Sequence, residues 1–320
     1  MDLGAVALGI IALVWGADRF VLGAAGVARN LGVSTLVIGL VIVGFGTSAP
    51  ELLVSAMAGL AGSTGLAVGN ALGSNIANIG LVLGTTALIV PLAVHSGVIK
   101  REFPVLLLMS FGALLLLLDG ELGRVDGVIL LTTLVLLIYW TVRLAMRERD
   151  HDPLQAEVVE EIPETLGMGA ALLWLLLGLV VLLVGARMVV WGAVNIAQAF
   201  GVSEVIIGLT IVAIGTSLPE LAASVMGALK GEPDLAIGNV VGSNLFNLLG
   251  VLGLPAVIHP AVLDSSVLQR DYPVMLALTV ALFLLAYNWR RTPRIGRSGG
   301  LVLLGAYGAY MTTLYFAMVS

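Results

Sequence analysis

The chain has 320 residues, 59% hydrophobic and 11% charged, with a mean hydropathy of +1.08 and a formal net charge of −5. So much apolar surface cannot be covered in a soluble globule of this size, so the chain belongs in a bilayer. It has no cysteine, which excludes disulfides and thiolate metal sites, and its long Leu/Val/Ile/Ala/Gly runs exclude a porin-type barrel, which needs alternating segments of about 10 residues.

A helical span takes roughly 20 mostly apolar residues. The pattern predicts ten spans, near 3–28, 34–60, 66–90, 103–119, 125–146, 167–198, 203–229, 234–258, 272–289 and 299–318. The first has no basic n-region and no cleavage site, so it is expected to be a retained span. Residues 1–146 then form a first repeat of five transmembrane helices and residues 167–320 a second. The segment 147–166 is a charged cytoplasmic linker carrying Arg147, Arg149, Asp150, Asp152, Glu157, Glu160, Glu161 and Glu164. His95, His151 and His259 stand apart at loops or span ends, which argues against a histidine metal site.

The division rests on an internal duplication with an offset of 169 residues. Gly46-Thr47-Ser48-Ala49-Pro50-Glu51 returns as Gly215-Thr216-Ser217-Leu218-Pro219-Glu220. Gly69-Asn70 with Gly73-Ser74-Asn75 returns as Gly238-Asn239 with Gly242-Ser243-Asn244. The offset holds without a gap from Gly16/Gly185 to Pro104/Pro273. Five spans per copy is an odd number, so the second copy enters the membrane upside down and the two motifs meet near the midplane. The fold class expected is an all-α membrane protein of ten transmembrane helices in two inverted five-helix repeats.

With the amino terminus outside, the inner loops carry Arg29, Lys100, Arg101, Arg143, Arg147, Arg149, Lys230, Arg290, Arg291, Arg294 and Arg297, and the outer loops only Arg124 and Arg270. The positive-inside rule then puts both termini outside a cell (inner or plasma) membrane. Arg19 and Arg187 fall within or beside spans, where they snorkel or pair.

Glu51 and Glu220 are the chemically informative residues. An acidic side chain at a helix centre costs about 2.5–3.5 kcal/mol on insertion scales, and neither span offers a nearby Lys or Arg; a bound cation is the simplest partner. Pro50 and Pro219 free carbonyls one turn earlier, at Gly44 to Thr47 and Ala213 to Thr216. Thr47, Ser48 and Glu51, like Thr216, Ser217 and Glu220, can converge on one helical face. Asn70, Ser74 and Asn78 form an oxygen-bearing stripe, repeated by Asn239, Ser243 and Asn247. For Ser55, Ser224, Asn75 and Asn244, gluing helices together is an equally good reading. Carboxylate, hydroxyl, amide and carbonyl oxygens make a hard-ligand set that suits Ca2+ or Na+ better than Mg2+.

The paired Gly-Thr-Ser-x-Pro-Glu and Gly-Asn-x-x-Gly-Ser-Asn motifs resemble the alpha repeats of the calcium/cation antiporter superfamily, in particular the prokaryotic sodium/calcium exchangers. The resemblance implies that Glu51 and Glu220 are central Ca2+ ligands shared with Na+, with the carbonyls of Thr47 and Thr216 completing the Ca2+ shell. It implies flanking Na+ sites at Ser48, Ser74 and the Gly44 carbonyl on one side, and at Ser217, Ser243 and the Ala213 carbonyl on the other, with Asn78 and Asn247 lining the middle. Some archaeal relatives have an aspartate where this chain has Asn247. The resemblance also implies that the first and sixth spans slide across the other eight.

The expected activity is therefore secondary antiport of Na+ against Ca2+ by alternating access at the two Glu, with no cofactor beyond the transported ions. The expected partners are the lipid bilayer, Ca2+ and Na+, without nucleic acid, for a chain working as a monomer. A Ca2+/H+ antiporter is the close alternative, because the same carboxyls can carry protons. A passive cation channel conflicts with dense ligation at one closed point, and an intramembrane hydrolase with the lack of any further catalytic constellation.

Overall fold

The computed structural model describes residues 2–94, 98–149, 166–201, 213–287 and 293–319. The first half of the expected 203–229 span, most of the linker, His95, His151, Arg290 and Arg291 lie outside the described residues. The helices are α1 (Asp2–Leu31), α2 (Thr35–Thr47), α3 (Ala49–Leu60), α4 (Thr64–Ile89), α5 (Phe103–Leu117) and α6 (Arg124–Arg149) in the first half. In the second they are α7 (Met168–Ala199), α8 (Ala213–Thr216), α9 (Leu218–Leu229), α10 (Pro233–Ile258), α11 (Tyr272–Ala286) and α12 (Arg297–Val319). Among the described residues six helices are long and apolar enough to cross a membrane, and the bent pair α2/α3 makes a seventh.

Two-residue strands join the loops. β1 (Leu92–Ala93) pairs antiparallel with β4 (Arg294–Ile295), and β2 (Glu121–Leu122) with β3 (Ala261–Val262). The buried core centres on α4 and α10, which run through the middle and whose apolar windows are 72% and 83% buried, against 28% for α1 and α7. Lipid is as apolar as the core, so the outer helices keep large side chains such as Leu8, Ile11, Leu173 and Val180 on their outside.

α1 and α7 interlock as an antiparallel pair. Gly9, Gly16 and Gly23 recur every seven residues on α1, as do Gly178, Gly185 and Gly192 on α7. A Cβ on Gly16 would lie 2.5 Å from the Leu182 amide nitrogen, and one on Gly185 2.6 Å from that of Leu13; Gly23 meets Leu175, Gly178 meets Phe20 and Gly192 faces Asp2. Backbone thus rests on backbone along the whole seam, a contact that only glycine permits. Across the same pair, the Arg19 guanidinium lies 5.7 Å from the Trp15 ring centroid and 4.9 Å from that of Trp174. Arg187 is exposed.

The disturbance expected from Pro50 within the 34–60 span falls two residues before it. The helix stops at Thr47 and restarts at Ala49 with a 46° bend, because Ser48 has φ −84° and ψ 3°. Ser217 repeats the break at φ −90° and ψ 3°. Pro50 and Pro219 then sit in the first turn of α3 and α9, where a missing N–H costs nothing. α4 and α10 carry π-helical turns that begin at Asn78 and Asn247, a feature common at functional sites.

The glycine seam carries a direct test. Gly16→Val should destabilise the protein by about 1–3 kcal/mol through overpacking, seen as a lowered thermal midpoint in detergent. Gly4→Val, with nothing within 4 Å of the new Cβ, should leave the midpoint unchanged.

Candidate functional site

The breaks at Ser48 and Ser217 place the starts of α3 and α9 side by side at the centre. Glu51 and Glu220 stand in those first turns, each 1% exposed. Glu51 is the charged neighbour of Glu220, and Ser48 Oγ donates to Glu220 Oε1 at 3.4 Å. Oε2 of both carboxylates is buried without a hydrogen-bond partner.

The break also changes where the neighbouring hydroxyls point. Thr47, Ser48 and Glu51 do not share one continuous helical face; Thr47 and Ser48 reach instead into the other half. Thr47 Oγ1 donates to Asn239 Oδ1 at 3.0 Å and lies 3.4 Å from Ser243 Oγ. Ser243 Oγ in turn donates to the Gly44 carbonyl at 3.4 Å, so that carbonyl sits beside a hydroxyl of the opposite repeat. The resemblance had grouped Gly44 with Ser48 and Ser74. Ser74 is buried on α4, one turn before Asn78. Thr216 is half-buried at the end of α8, which Ala213 begins.

Asn78 and Asn247, both buried, open the π-helical turns. Asn78 Nδ2 donates to Asn244 Oδ1 at 3.2 Å, whereas Asn78 Oδ1, both polar atoms of Asn247 and Ser217 Oγ have no partner. With Asn75 Oδ1 and Asn244 Nδ2, eight buried polar side-chain atoms around the centre are unsatisfied among the described residues, a concentration that a packed interior does not tolerate without a ligand. Six of them are oxygens: Oε2 of both Glu, Oδ1 of Asn75, Asn78 and Asn247, and Ser217 Oγ. That donor set fits a hard cation.

Two roles emerge from the structure alone. Asn70 Nδ2 donates to the Glu51 carbonyl at 3.2 Å and to Ser55 Oγ at 3.1 Å. Asn239 repeats this on the Glu220 carbonyl at 3.2 Å and Ser224 Oγ at 2.9 Å. These amides hold each glutamate helix against α4 or α10 and so orient the carboxylates. The sequence signal was a constant separation of 19 residues between Glu and Asn in both copies. The second role belongs to Asn75, whose Nδ2 donates at 3.3 Å to the carbonyl of Asn244, its own counterpart across the duplication. Equivalent residues of the duplicated sequence touch there.

Three comparisons place this geometry. The family model described as sodium/calcium exchanger protein matches residues 1–143 and 170–316. The chain belongs to the sodium/calcium exchanger protein family. It is 49% identical over 314 residues to the putative antiporter CaxA of Alkalimonas amylolytica, covering 97% of each chain. It is 31% identical over 346 residues to the sodium/calcium exchanger MaX1 of Methanosarcina acetivorans, again covering 97% of each. Among solved structures, the sodium-calcium exchanger NCX_Mj soaked with Na+ and Ca2+ matches with a TM-score of 0.84 at 34% identity over 98% of both chains. The exchanger-family chain is thus an integral membrane transporter, not an enzyme.

The orienting amides should differ in weight. Asn239→Leu removes the amide bonds to the Glu220 carbonyl and the Ser224 hydroxyl in a buried site, and should cost roughly 1–3 kcal/mol for the group left unsatisfied. Asn70 is half-buried, so water can replace it, and Asn70→Leu should cost less when thermal midpoints are compared.

Proposed function

We propose that this exchanger is a ten-span secondary antiporter that moves Ca2+ against Na+ by alternating access at Glu51 and Glu220. The observation that carries the reading is the pair of buried carboxylates, one against the other, within a shell of unsatisfied oxygens. Two like charges in a medium of low dielectric repel strongly, and a cation removes that cost. Ca2+ takes about 6–8 oxygens in flexible geometry, which Glu51, Glu220, the Thr47 and Thr216 carbonyls and the amides of Asn78 and Asn247 can supply. Ser48, Ser74 and the Gly44 carbonyl, with Ser217, Ser243 and the Ala213 carbonyl, offer flanking oxygens to Na+. Ions that share the glutamates exclude one another, and that competition is the exchange. Family membership supports the same reading, since MaX1 and NCX_Mj are described as sodium/calcium exchangers.

The inverted ten-span topology draws support from the loop contacts. Arg29 meets Glu232, Asn30 Nδ2 donates to the Leu166 carbonyl, Arg297 to the Leu88 carbonyl, and β1 pairs with β4. These join the chain near 30, 90, 166, 231 and 295 at one end. At the other, Asn195 donates to Asp2, Thr64 to the His259 carbonyl, and β2 pairs with β3. The two groups alternate along the chain, which amounts to nine crossings, and the last helix, α12, leaving the first end supplies the tenth. The basic loops fall at the first end, which is then cytoplasmic, with both termini outside.

The deciding experiment is Ca2+ uptake into proteoliposomes loaded with Na+ and diluted into Na+-free buffer, beside K+-loaded vesicles and vesicles with an imposed pH gradient. Uptake is expected to require internal Na+; uptake that follows the pH gradient and ignores Na+ would make the chain a proton-coupled antiporter. Glu51→Gln and Glu220→Gln should each abolish uptake, while Asn75→Ala is milder. Normal exchange in either glutamine variant would falsify the site.

A further inference from the structure

A cation accounts for the unsatisfied oxygens at the centre but not for the unsatisfied N–H groups beside them. Asn244 Nδ2 and Asn247 Nδ2 are buried donors without an acceptor among the described residues. An amide N–H cannot ligate a metal, and leaving it unpaired costs the full desolvation of the group.

The duplication shows which bonds these donors lack. Asn75 and Asn78 of α4 are the counterparts of Asn244 and Asn247 of α10, and none of the four is more than 1% exposed. In a first pattern, the one observed, Asn78 Nδ2 donates to Asn244 Oδ1 at 3.2 Å and Asn75 Nδ2 to the Asn244 carbonyl at 3.3 Å. Both donors belong to the first half. Exchanging each residue for its counterpart gives a second pattern, in which Asn247 Nδ2 donates to Asn75 Oδ1 and Asn244 Nδ2 to the Asn75 carbonyl. The side-chain atoms which that pattern would use, Asn247 Nδ2, Asn75 Oδ1 and Asn244 Nδ2, are the ones left unpaired. One neighbour separates the two patterns in energy. Asn75 Nδ2 also has Met275 Sδ of α11 at 3.5 Å, whereas the counterpart of Met275 is Leu106, which offers no acceptor.

We propose that Asn75, Asn78, Asn244 and Asn247 form a two-position hydrogen-bond relay, with the first pattern in one access state and the second in the other. The inference rests on the alternating access of inverted repeats proposed above, in which the two halves exchange roles between states. In the first pattern Asn78 is held through its Nδ2, which keeps its Oδ1 in place for the ion, while both polar atoms of Asn247 are unheld. In the second pattern Asn247 is held and Asn78 released. The relay thus passes the fixed amide ligand from one half to the other. Asn75 and Asn244 are positioning residues that act through Asn78 and Asn247.

Aspartate keeps the side-chain acceptor of asparagine and loses the donor. Asn75→Asp therefore weakens only the first pattern, and Asn244→Asp only the second. Apparent affinity at each face follows the population open to that face, so the readout is the ratio of half-saturating Ca2+ at the two faces of oriented proteoliposomes. The two variants should shift this ratio in opposite directions, each by about three- to tenfold, the worth of one hydrogen bond. The added charge is the same in both, so charge alone would not reverse the sign. The double variant should return toward the native ratio, and Asn75→Ala, which removes one bond from each pattern, should stay near it. Met275→Leu, which adds no charge, should shift the ratio in the direction of Asn75→Asp by a smaller factor, and it decides the matter if the aspartate variants do not fold. Aspartates that shift the ratio the same way or not at all, an alanine shift as large as the aspartate one, or an unchanged ratio in Met275→Leu would each overturn the relay. Ca2+ flux that follows a pH gradient and ignores Na+ would remove the exchange reading, and the same ratio measured under that gradient would still decide the relay.

Discussion

Two neighbouring buried carboxylates are the constraint on which the centre of this molecule depends. Glu51 and Glu220 have almost no solvent contact, and they are each other's charged neighbours. A single ionised group in such surroundings costs several kcal/mol, and the second adds repulsion to desolvation. The rest of the centre is arranged around that cost. Chain breaks at Ser48 and Ser217 bring both helix starts to one point, and Asn70 and Asn239 hold the glutamate backbones in place. Hydroxyl and amide oxygens from both halves face the same space.

Such a centre needs helices that cross at very short range, and glycine supplies the range. Gly39 and Gly44 of α2 lie on Gly238, Gly242 and Ser243 of α10 with backbone nearly touching backbone. The same device recurs where Gly80 and Gly84 of α4 receive Tyr307 and Leu304 of α12, and where Gly127 of α6 meets Gly253 of α10. Association in lipid gains little from hydrophobicity and depends on close packing and hydrogen bonds. The hydrogen bonds between Asn75, Asn78 and Asn244 add the polar part where the two halves meet.

Duplication explains why the site is nearly symmetric, and divergence explains where it is not. The Asn-to-Glu-carbonyl bonds, the proline placements and the π-helical turns at Asn78 and Asn247 occur in both halves. The ion pairs Arg29–Glu232 and Asp18–Lys230 are not repeated by their counterparts, which are Gln198 with Ser63 and Arg187 with Ala61. The central hydrogen bonds and helix breaks are kept twice, whereas the ion pairs at the ends of the helices occur once.

Much of this was determined by the sequence itself. Hydropathy runs reveal a membrane chain and most helix boundaries among the described residues to within a few residues, because about 20 apolar residues are what a bilayer demands. The constant offset exposes the duplication, and carboxylates too costly to leave unpaired in lipid single out Glu51 and Glu220. Other features came only with the tertiary structure. Pro50 and Pro219 announce a disturbed helix, but its location at Ser48 and Ser217 depends on what each side chain can reach across the centre. The Gly44 carbonyl lies beside Ser243, and Asn75 on the carbonyl of Asn244, because α2 and α4 pack across the opposite repeat. No periodicity in the sequence predicts that crossing: in a bilayer the lipid-facing and buried sides of a helix are both apolar, so the pattern records insertion, and the choice of partner is left to where small residues let two backbones meet.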